Sequence, residues 1–140
     1  MKFITSPFIH AILLAFGIFL YNGGTVSASS SAVMKDAKAI HRFTTLASQG
    51  KYEEAARHVA SNAFFSSPRF AYRSRAEWLK KFPDFHKKAV AFDIGPLEAL
   101  DDNIFVRRGK VRFLGIVFSI KEIIELNDDG KIVRSDIRFC

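Results

Sequence analysis

Glu122 is the residue of this 140-residue chain whose position most suggests chemistry, because it interrupts an apolar strand pattern. The apolar residues that alternate with it are Ile116, Phe118, Ile120, Ile124 and Leu126. Alternation along a strand predicts that the Glu122 carboxyl points inward with them. A carboxyl in a closed pocket could stay protonated and donate a hydrogen bond to a ligand oxygen. The alternatives are a bulge that turns Glu122 to solvent and a neighbouring arginine that neutralises it.

Ser67 and His58 are candidates to assist Glu122 in an acid–base mechanism. This catalytic hypothesis requires that Glu122 share one cavity with a second polar group, within reach of a common substrate atom. His58 falls near the end of a predicted helix, where a capped or half-buried structural histidine is the commoner interpretation. His41, between Ile40 and Arg42, is predicted to lie at the surface.

Cofactor chemistry has little support in the sequence. Three histidines follow residue 28 without paired ligand spacing, and the single cysteine, Cys140, is the last residue. We therefore predict no metal site, no cofactor and no intramolecular disulfide.

The chain is basic, with a formal net charge of +7. Between Arg69 and Lys88 there are seven basic residues against two acidic ones, and a second cluster comprises Arg107, Arg108, Lys110 and Arg112. Such clusters can attract an anionic surface of lipid headgroups or acidic polysaccharide, although a solvated face is the commoner interpretation. No helix-turn-helix or aromatic ribonucleoprotein motif supports nucleic-acid binding, and export argues against it.

The first 28 residues have the pattern of a signal peptide. Lys2 precedes an apolar run over residues 8–21. Val26-Ser27-Ala28 is the best predicted cleavage site, and Ser30-Ser31-Ala32 is a second. The run has 14 residues, whereas a membrane-spanning helix needs about 20, so a permanent anchor is the weaker interpretation. We expect a secreted or extracytoplasmic protein with a short leader over residues 29–34 and one domain over residues 35–140.

That domain begins with helical patterns and continues with strand patterns. Apolar spacing predicts helices over residues 34–48 and 51–60, and a capping box at Ser74–Glu77 opens a third helix, which Pro83 should bend or end. Strands are predicted over residues 63–66, 90–95, 104–113, 116–126 and 132–140. On the last strand, a dry face of Val133, Ser135, Ile137 and Phe139 alternates with Arg134, Asp136 and Arg138. The order predicts an α+β domain with helices on one face of a mostly antiparallel sheet.

Four strings follow one another at characteristic spacing: Ile40–Phe43 with Gly50 after it, Ala63–Pro68, Phe82–Phe85, and Leu126–Val133. Together they resemble the nuclear transport factor 2-like (SnoaL-like) superfamily over about residues 35–139. This superfamily includes ketosteroid isomerase-like, scytalone dehydratase-like and limonene epoxide hydrolase-like enzymes. The resemblance implies a cone, in which a curved, mostly antiparallel sheet wraps round about three N-terminal helices and encloses a pocket.

The same resemblance implies that the superfamily's best-known catalytic sets are incomplete here. The isomerase positions for a tyrosine, a base and a late-strand acid fall on Phe43, Ser67 and Glu122, of which only Glu122 has the required chemistry. The catalytic aspartate of the epoxide hydrolase branch falls on Ile137. No string matches the pocket histidines of the dehydratase branch.

The leading hypothesis is therefore an exported domain that binds a small, largely apolar molecule without turning it over. The predicted pocket residues are Phe43, Phe65, Trp78, Phe92, Ser135, Ile137 and Phe139, with ordinary core packing as the competing interpretation of the aromatic ones. Two alternatives stay open. One is an isomerase, dehydratase or hydrolase acting through Glu122, and the other is a module that forms a homodimer through its open sheet face.

Overall fold

Three helices are found in the computed structural model, which describes residues 31–140 and their side chains from residue 37. They are α1 (Ser31–Ser48), α2 (Tyr52–Ala56) and α3 (Arg75–His86). None of the helices described is long and apolar enough to cross a membrane. The predicted signal peptide and its cleavage site after Ala28 lie outside the described residues.

Local sequence explains where α1 and α3 end and begin. Gly50 follows α1 with a positive φ of 80°, which glycine adopts without strain, and the chain reverses there. The Ser74 hydroxyl accepts a 3.1 Å hydrogen bond from the Glu77 amide, as the capping motif predicts. α3 continues past Pro83 to His86, so Pro83 does not end the helix. Its last turn is held by Phe85, whose ring packs against Phe70 and Phe113.

Seven strands form one curled sheet that wraps the helices as a half-barrel. They are β1 (Val59–Ser67), β2 (Phe70–Tyr72), β3 (Ala89–Phe92), β4 (Glu98–Asp101), β5 (Ile104–Phe113), β6 (Ile116–Leu126) and β7 (Ile132–Phe139). The order is β2-β1-β7-β6-β5-β3, and β4 also pairs with β5. β1 and β7 are parallel while the other pairings are antiparallel, which confirms the predicted mostly antiparallel α+β cone.

Several details of the sequence-based interpretation were wrong. α2 ends at Ala56 and β1 begins at Val59, so residues expected to end a helix instead pair with β7. β4 was not predicted, because its exposed residues show no apolar alternation. On β7, Ile132 takes the buried place expected for Val133, since the pairing with β6 shifts register between Glu125 and Leu126.

The sheet has two chemically different ends. One, the acidic end, contains the β4–β5 and β6–β7 turns with Asp101, Asp102, Asp128 and Asp129. The other, the open end, contains the β1–β2 turn, the α3–β3 junction, the β5–β6 turn and the last residues of β7. The strand registers place these four segments together, because Phe113 pairs with both Ala89 and Ile116, and β1 runs parallel to β7.

Candidate interior polar site

A buried ion pair lies on the concave face of the sheet. Arg107 on β5 and Glu122 on β6 are directly opposite in the antiparallel register, and Arg107 Nε donates to Glu122 Oε1 at 2.9 Å. The side chains are 8% and 15% exposed. Glu122 therefore points inward, as its position between apolar residues predicts, and a neighbouring arginine balances its charge.

Two hydroxyl groups complete this cluster, which we call the interior polar site: Thr44, Arg107, Glu122 and Ser135. Ser135 on β7 donates to Glu122 Oε2 at 2.7 Å. Thr44 on α1 accepts a 2.9 Å hydrogen bond from Arg107 Nη2, and its own hydroxyl donates to the Ile40 carbonyl at 3.0 Å. Both carboxylate oxygens of Glu122 thus accept a hydrogen bond from a neighbouring side chain.

The free-energy cost of burying this ion pair explains why the hydrogen bonds to Arg107 and Glu122 are important for stability. Removing two charges from water costs several kcal/mol per ion, and attraction between them offsets this cost only where geometry and hydrogen bonding are good. Ser135 is 4% exposed and supplies one of the needed hydrogen bonds. The site is consequently intolerant of losing one member, whereas replacing both charges by apolar groups should be much milder.

His41 lies one helical turn before Thr44 and faces the same region. Burial, and secondarily the positive charge of Arg107, lower the pKa of its imidazole to about 4. Its Nδ1 is shielded from solvent, so the expectation of a surface histidine was wrong. His41 is therefore uncharged at neutral pH.

An aromatic wall lines the interior beside the polar site. Phe43, Phe65 and Trp78 contact one another, with ring centroids 5.3 to 6.1 Å apart. Trp78 and Phe65 belong to the core, at 1% and 4% exposure, whereas Phe43 is half-buried. These three predicted pocket residues are brought together by α1, β1 and α3. Phe43 carries no hydroxyl, so this wall supplies no oxyanion donor from that position.

A second aromatic contact extends this wall with a polar link. The Tyr52 hydroxyl and His86 Nδ1 share a 2.7 Å hydrogen bond, and the His86 ring stacks on Phe82 at 5.3 Å. Burial raises the pKa of Tyr52. The pairing was missed by sequence reasoning, because Tyr52 and His86 are 34 residues apart and lie in helices that meet only in the fold.

The concave face becomes progressively more accessible toward the open end. Ile124 and Leu126 are 1% and 2% exposed, whereas Ile116 and Phe139 are 60% and 52% exposed. Phe139 stacks on Phe118 at 5.0 Å, and Ile137, opposite Glu122 in the register, is half-buried. Predicted pocket residues Ser135, Ile137 and Phe139 thus follow one another from the buried interior to solvent.

Phe92 does not line the interior. It pairs with Lys110, whose side chain is on the convex face, and the Arg112 guanidinium lies 5.0 Å from the centre of the Phe92 ring. The sequence placed Phe92 inside because it alternates with polar Asp93, but both faces of the short β3 carry apolar residues, so alternation is ambiguous there.

Ser67 ends β1 and His58 immediately precedes its first residue, so the two are roughly 30 Å apart at the usual rise per residue. The Ser67 hydroxyl accepts hydrogen bonds from the Arg69 and Phe70 amides and so caps the β1–β2 turn. His58 stands at the acidic end, where burial and nearby Arg42 and Lys131 lower its pKa. Neither hydrogen-bonds to Glu122, whose two oxygens are taken by Arg107 and Ser135.

Over residues 31–140, no group of three or more histidine, cysteine or acidic residues has a geometry that could hold a metal ion. A shallow depression at the acidic end is lined by carboxylates and amides, namely Asp101, Asp102, Asn103, Glu125, Asn127 and Asp128. It is open to solvent and separate from the interior polar site.

Comparison with known proteins bears on the fold alone. No family model matches the sequence, and no curated protein matches it significantly. Among solved structures, a nuclear transport factor 2-like protein of unknown function from Cytophaga hutchinsonii is 10% identical with a TM-score of 0.65, over 75% of this chain and 89% of that one. An epoxide hydrolase from M. tuberculosis is 12% identical with a TM-score of 0.64, over 76% and 84%. A steroid delta-isomerase from Pseudomonas aeruginosa is 16% identical with a TM-score of 0.62, over 79% and 81%. The chain therefore has the nuclear transport factor 2-like fold, which confirms the fold that the sequence resemblance implied.

Proposed function

We propose that the cone binds a small, largely apolar molecule that carries one oxygen acceptor, and that it binds this molecule without turnover. The proposal rests chiefly on Arg107, a buried guanidinium in the interior polar site, which lies within an apolar and aromatic core. Arg107 has five N–H donors, of which its Nε and one on Nη2 are used by Glu122 and Thr44. The remaining donors can hydrogen-bond to a ligand oxygen.

The open end supplies the route by which such a ligand would enter. Inner-face residues there are accessible, and their side chains are predominantly apolar. Pockets of this kind combine a hydrophobic lining with a few polar groups that orient the ligand. Because Glu122 balances the charge of Arg107, a neutral carbonyl or ether oxygen suits the site better than a second carboxylate.

Binding without turnover is better supported than catalysis, because Glu122, the group best placed for acid–base chemistry, already makes hydrogen bonds with both of its oxygens. Glu122 accepts from Arg107 and Ser135, and neither Ser67 nor His58 is in contact with it. The solved structures of this fold include an epoxide hydrolase and a steroid delta-isomerase, so the architecture is compatible with small organic ligands. In the correspondence that the sequence resemblance implies, the isomerase tyrosine and base fall on Phe43 and Ser67 and the hydrolase aspartate on Ile137, so only Glu122 retains an acid.

A matched pair of ligands tests this proposal. Acetophenone and ethylbenzene have similar shapes, but only acetophenone has an oxygen acceptor. We expect saturable NMR shifts at Phe43 and Ile137 with both, a change in the Arg107 Nε–H resonance with acetophenone alone, and affinity for acetophenone about fivefold higher, from one net hydrogen bond. Absence of saturable shifts with either compound would refute binding, and equal affinities would refute the role of Arg107.

Export and self-association are further parts of the proposal. The signal-peptide pattern supports cleavage after Ala28. N-terminal sequencing of protein recovered after expression in a secreting host should therefore begin at Ser29.

For a homodimer, the convex face of the sheet offers half-buried Ile123 beside charged neighbours as a contact surface. Light scattering should give twice the mass of the mature chain, and a monomer at all concentrations would refute the dimer.

A further inference from the structure

The β5–β6 turn presents apolar side chains to solvent at the open end. Leu114, Ile116 and Val117 are 67%, 60% and 46% exposed, on a tight turn formed with Gly115. Leu114 has a positive φ of 51°, and its amide donates to the Lys88 carbonyl at 3.3 Å. The turn is thus fixed against the rest of the domain while its side chains project outward.

Basic residues surround this apolar tip on two sides. Exposed Lys87 and Lys88 come from the α3–β3 junction, and Arg112 precedes the turn on β5. Arg69 comes from the β1–β2 turn, and its guanidinium lies 4.7 Å from the centre of the Phe113 ring. Asp84 makes only a 3.6 Å contact with Lys87, and both side chains are largely exposed.

The opposite end presents four exposed carboxylates. Asp101, Asp102, Asp128 and Asp129 are exposed in the two turns of the acidic end, a full strand length away. A negatively charged planar surface would therefore attract the open end more strongly than the acidic end, where Arg57 and Lys131 offset only part of the charge of the carboxylates. This separation of charge between the two ends orients the domain so that the apolar tip faces the negatively charged surface.

We propose that the open end docks onto the surface of an anionic lipid bilayer, with Leu114, Ile116 and Val117 inserted at the headgroup level and the surrounding cations against the headgroups. The combination of an exposed apolar tip with a basic rim distinguishes a bilayer from a soluble polyanion, which would use the charges but leave the apolar side chains in water. This inference does not depend on the proposed interior ligand.

A tryptophan placed at the tip reports its insertion. The chain from Ser29 onward is used, because the sheet and the core are built from later residues and the apolar run over residues 8–21 would itself bind vesicles. We expect the emission of L114W to shift to the blue on vesicles of 30% phosphatidylglycerol in phosphatidylcholine, and not on phosphatidylcholine alone. The matched control L100W replaces a residue that is 60% exposed at the acidic end, and it should not shift. No shift of L114W, or equal shifts of both variants, would overturn the proposal.

Charge variants test the orientation. Neutralising Lys87 and Lys88 to glutamine should weaken vesicle binding by about fivefold per charge. Neutralising Arg57 and Lys131, which are exposed near the acidic end, removes the same net charge and should change binding less than twofold. Equal losses from the two pairs would mean that the whole cationic protein is attracted without orientation, and the proposal would be wrong.

Apolar variants separate the bilayer from a soluble polyanion. The double variant L114N/I116T keeps the turn, since asparagine tolerates a positive φ and threonine favours a strand. It should lower vesicle binding by at least tenfold, given the free energy of burying leucine and isoleucine. Dextran sulfate binding should be unchanged. Unaltered vesicle binding by a variant with the parental melting temperature would overturn the insertion of the tip.

Discussion

Thr44 on α1 and Arg107 on β5 are joined by a 2.9 Å hydrogen bond, so the buried ion pair of the sheet is tied directly to the first helix. The bond connects two elements separated by 63 residues in sequence. Loss of the arginine would therefore affect both the charge balance of the interior and the seating of α1.

Removing Arg107 alone should be strongly destabilising. R107M leaves the Glu122 carboxylate buried without its counter-charge, so we expect the free energy of unfolding to fall by about 3–5 kcal/mol in urea denaturation. The double variant R107M/E122L removes both charges and should recover most of that loss. As a matched control, K81M removes one partner of the exposed Lys81–Glu77 pair and should cost less than about 1 kcal/mol. A double variant no more stable than R107M would contradict the ion-pair interpretation.

Ser135 should contribute to the stability of the folded protein through its hydrogen bond to Glu122. S135A removes a donor from a buried carboxylate oxygen, so we expect a loss of about 1–3 kcal/mol. S119A provides the control, because Ser119 is exposed on the neighbouring strand and its side chain has no comparable role. Equal stabilities of the two variants would show that the Ser135 hydroxyl does not support the site.

Stability should fall as the solution is acidified through the titration of His41. Its pKa is about 4 in the folded protein against 6.5 as the ordinary value. The unfolded chain therefore binds a proton more readily, so stability is lost as the pH falls from about 6.5 to about 4 and is not lost further by this group below that range. H41Q should have a shallower dependence over that window, and NMR titration of the His41 ring gives the pKa directly. A His41 pKa near 6.5 would contradict the described burial.

The facing of Glu122 and Ser135 was predictable because strand alternation is strict where one face is buried. Arg107 was not recognised as an interior residue, because it stands in a run with Arg108, Lys110 and Arg112 that is typical of a solvated surface. Alternation within β5 sends it to the opposite face from its neighbours, and only the pairing with Glu122 explains its burial. The burial of His41 was not predicted for a similar reason. Its place in the sequence, next to Arg42, does not show which face of α1 the sheet packs against. The apolar tip around Leu114 and its basic surroundings could not be predicted, because only the topology of the sheet shows which turns meet at the open end.

The most direct test of interior ligand binding compares two tryptophan substitutions on neighbouring strands. Ile137 is half-buried on the concave face opposite Glu122, whereas Ile123 is half-buried on the convex face. Acetophenone affinity is measured by NMR titration for I137W and I123W, with the melting temperature of each variant as the control for folding. We expect at least a tenfold loss of affinity in I137W and parental affinity in I123W. Parental affinity in a folded I137W variant would show that the ligand does not occupy the interior of the cone.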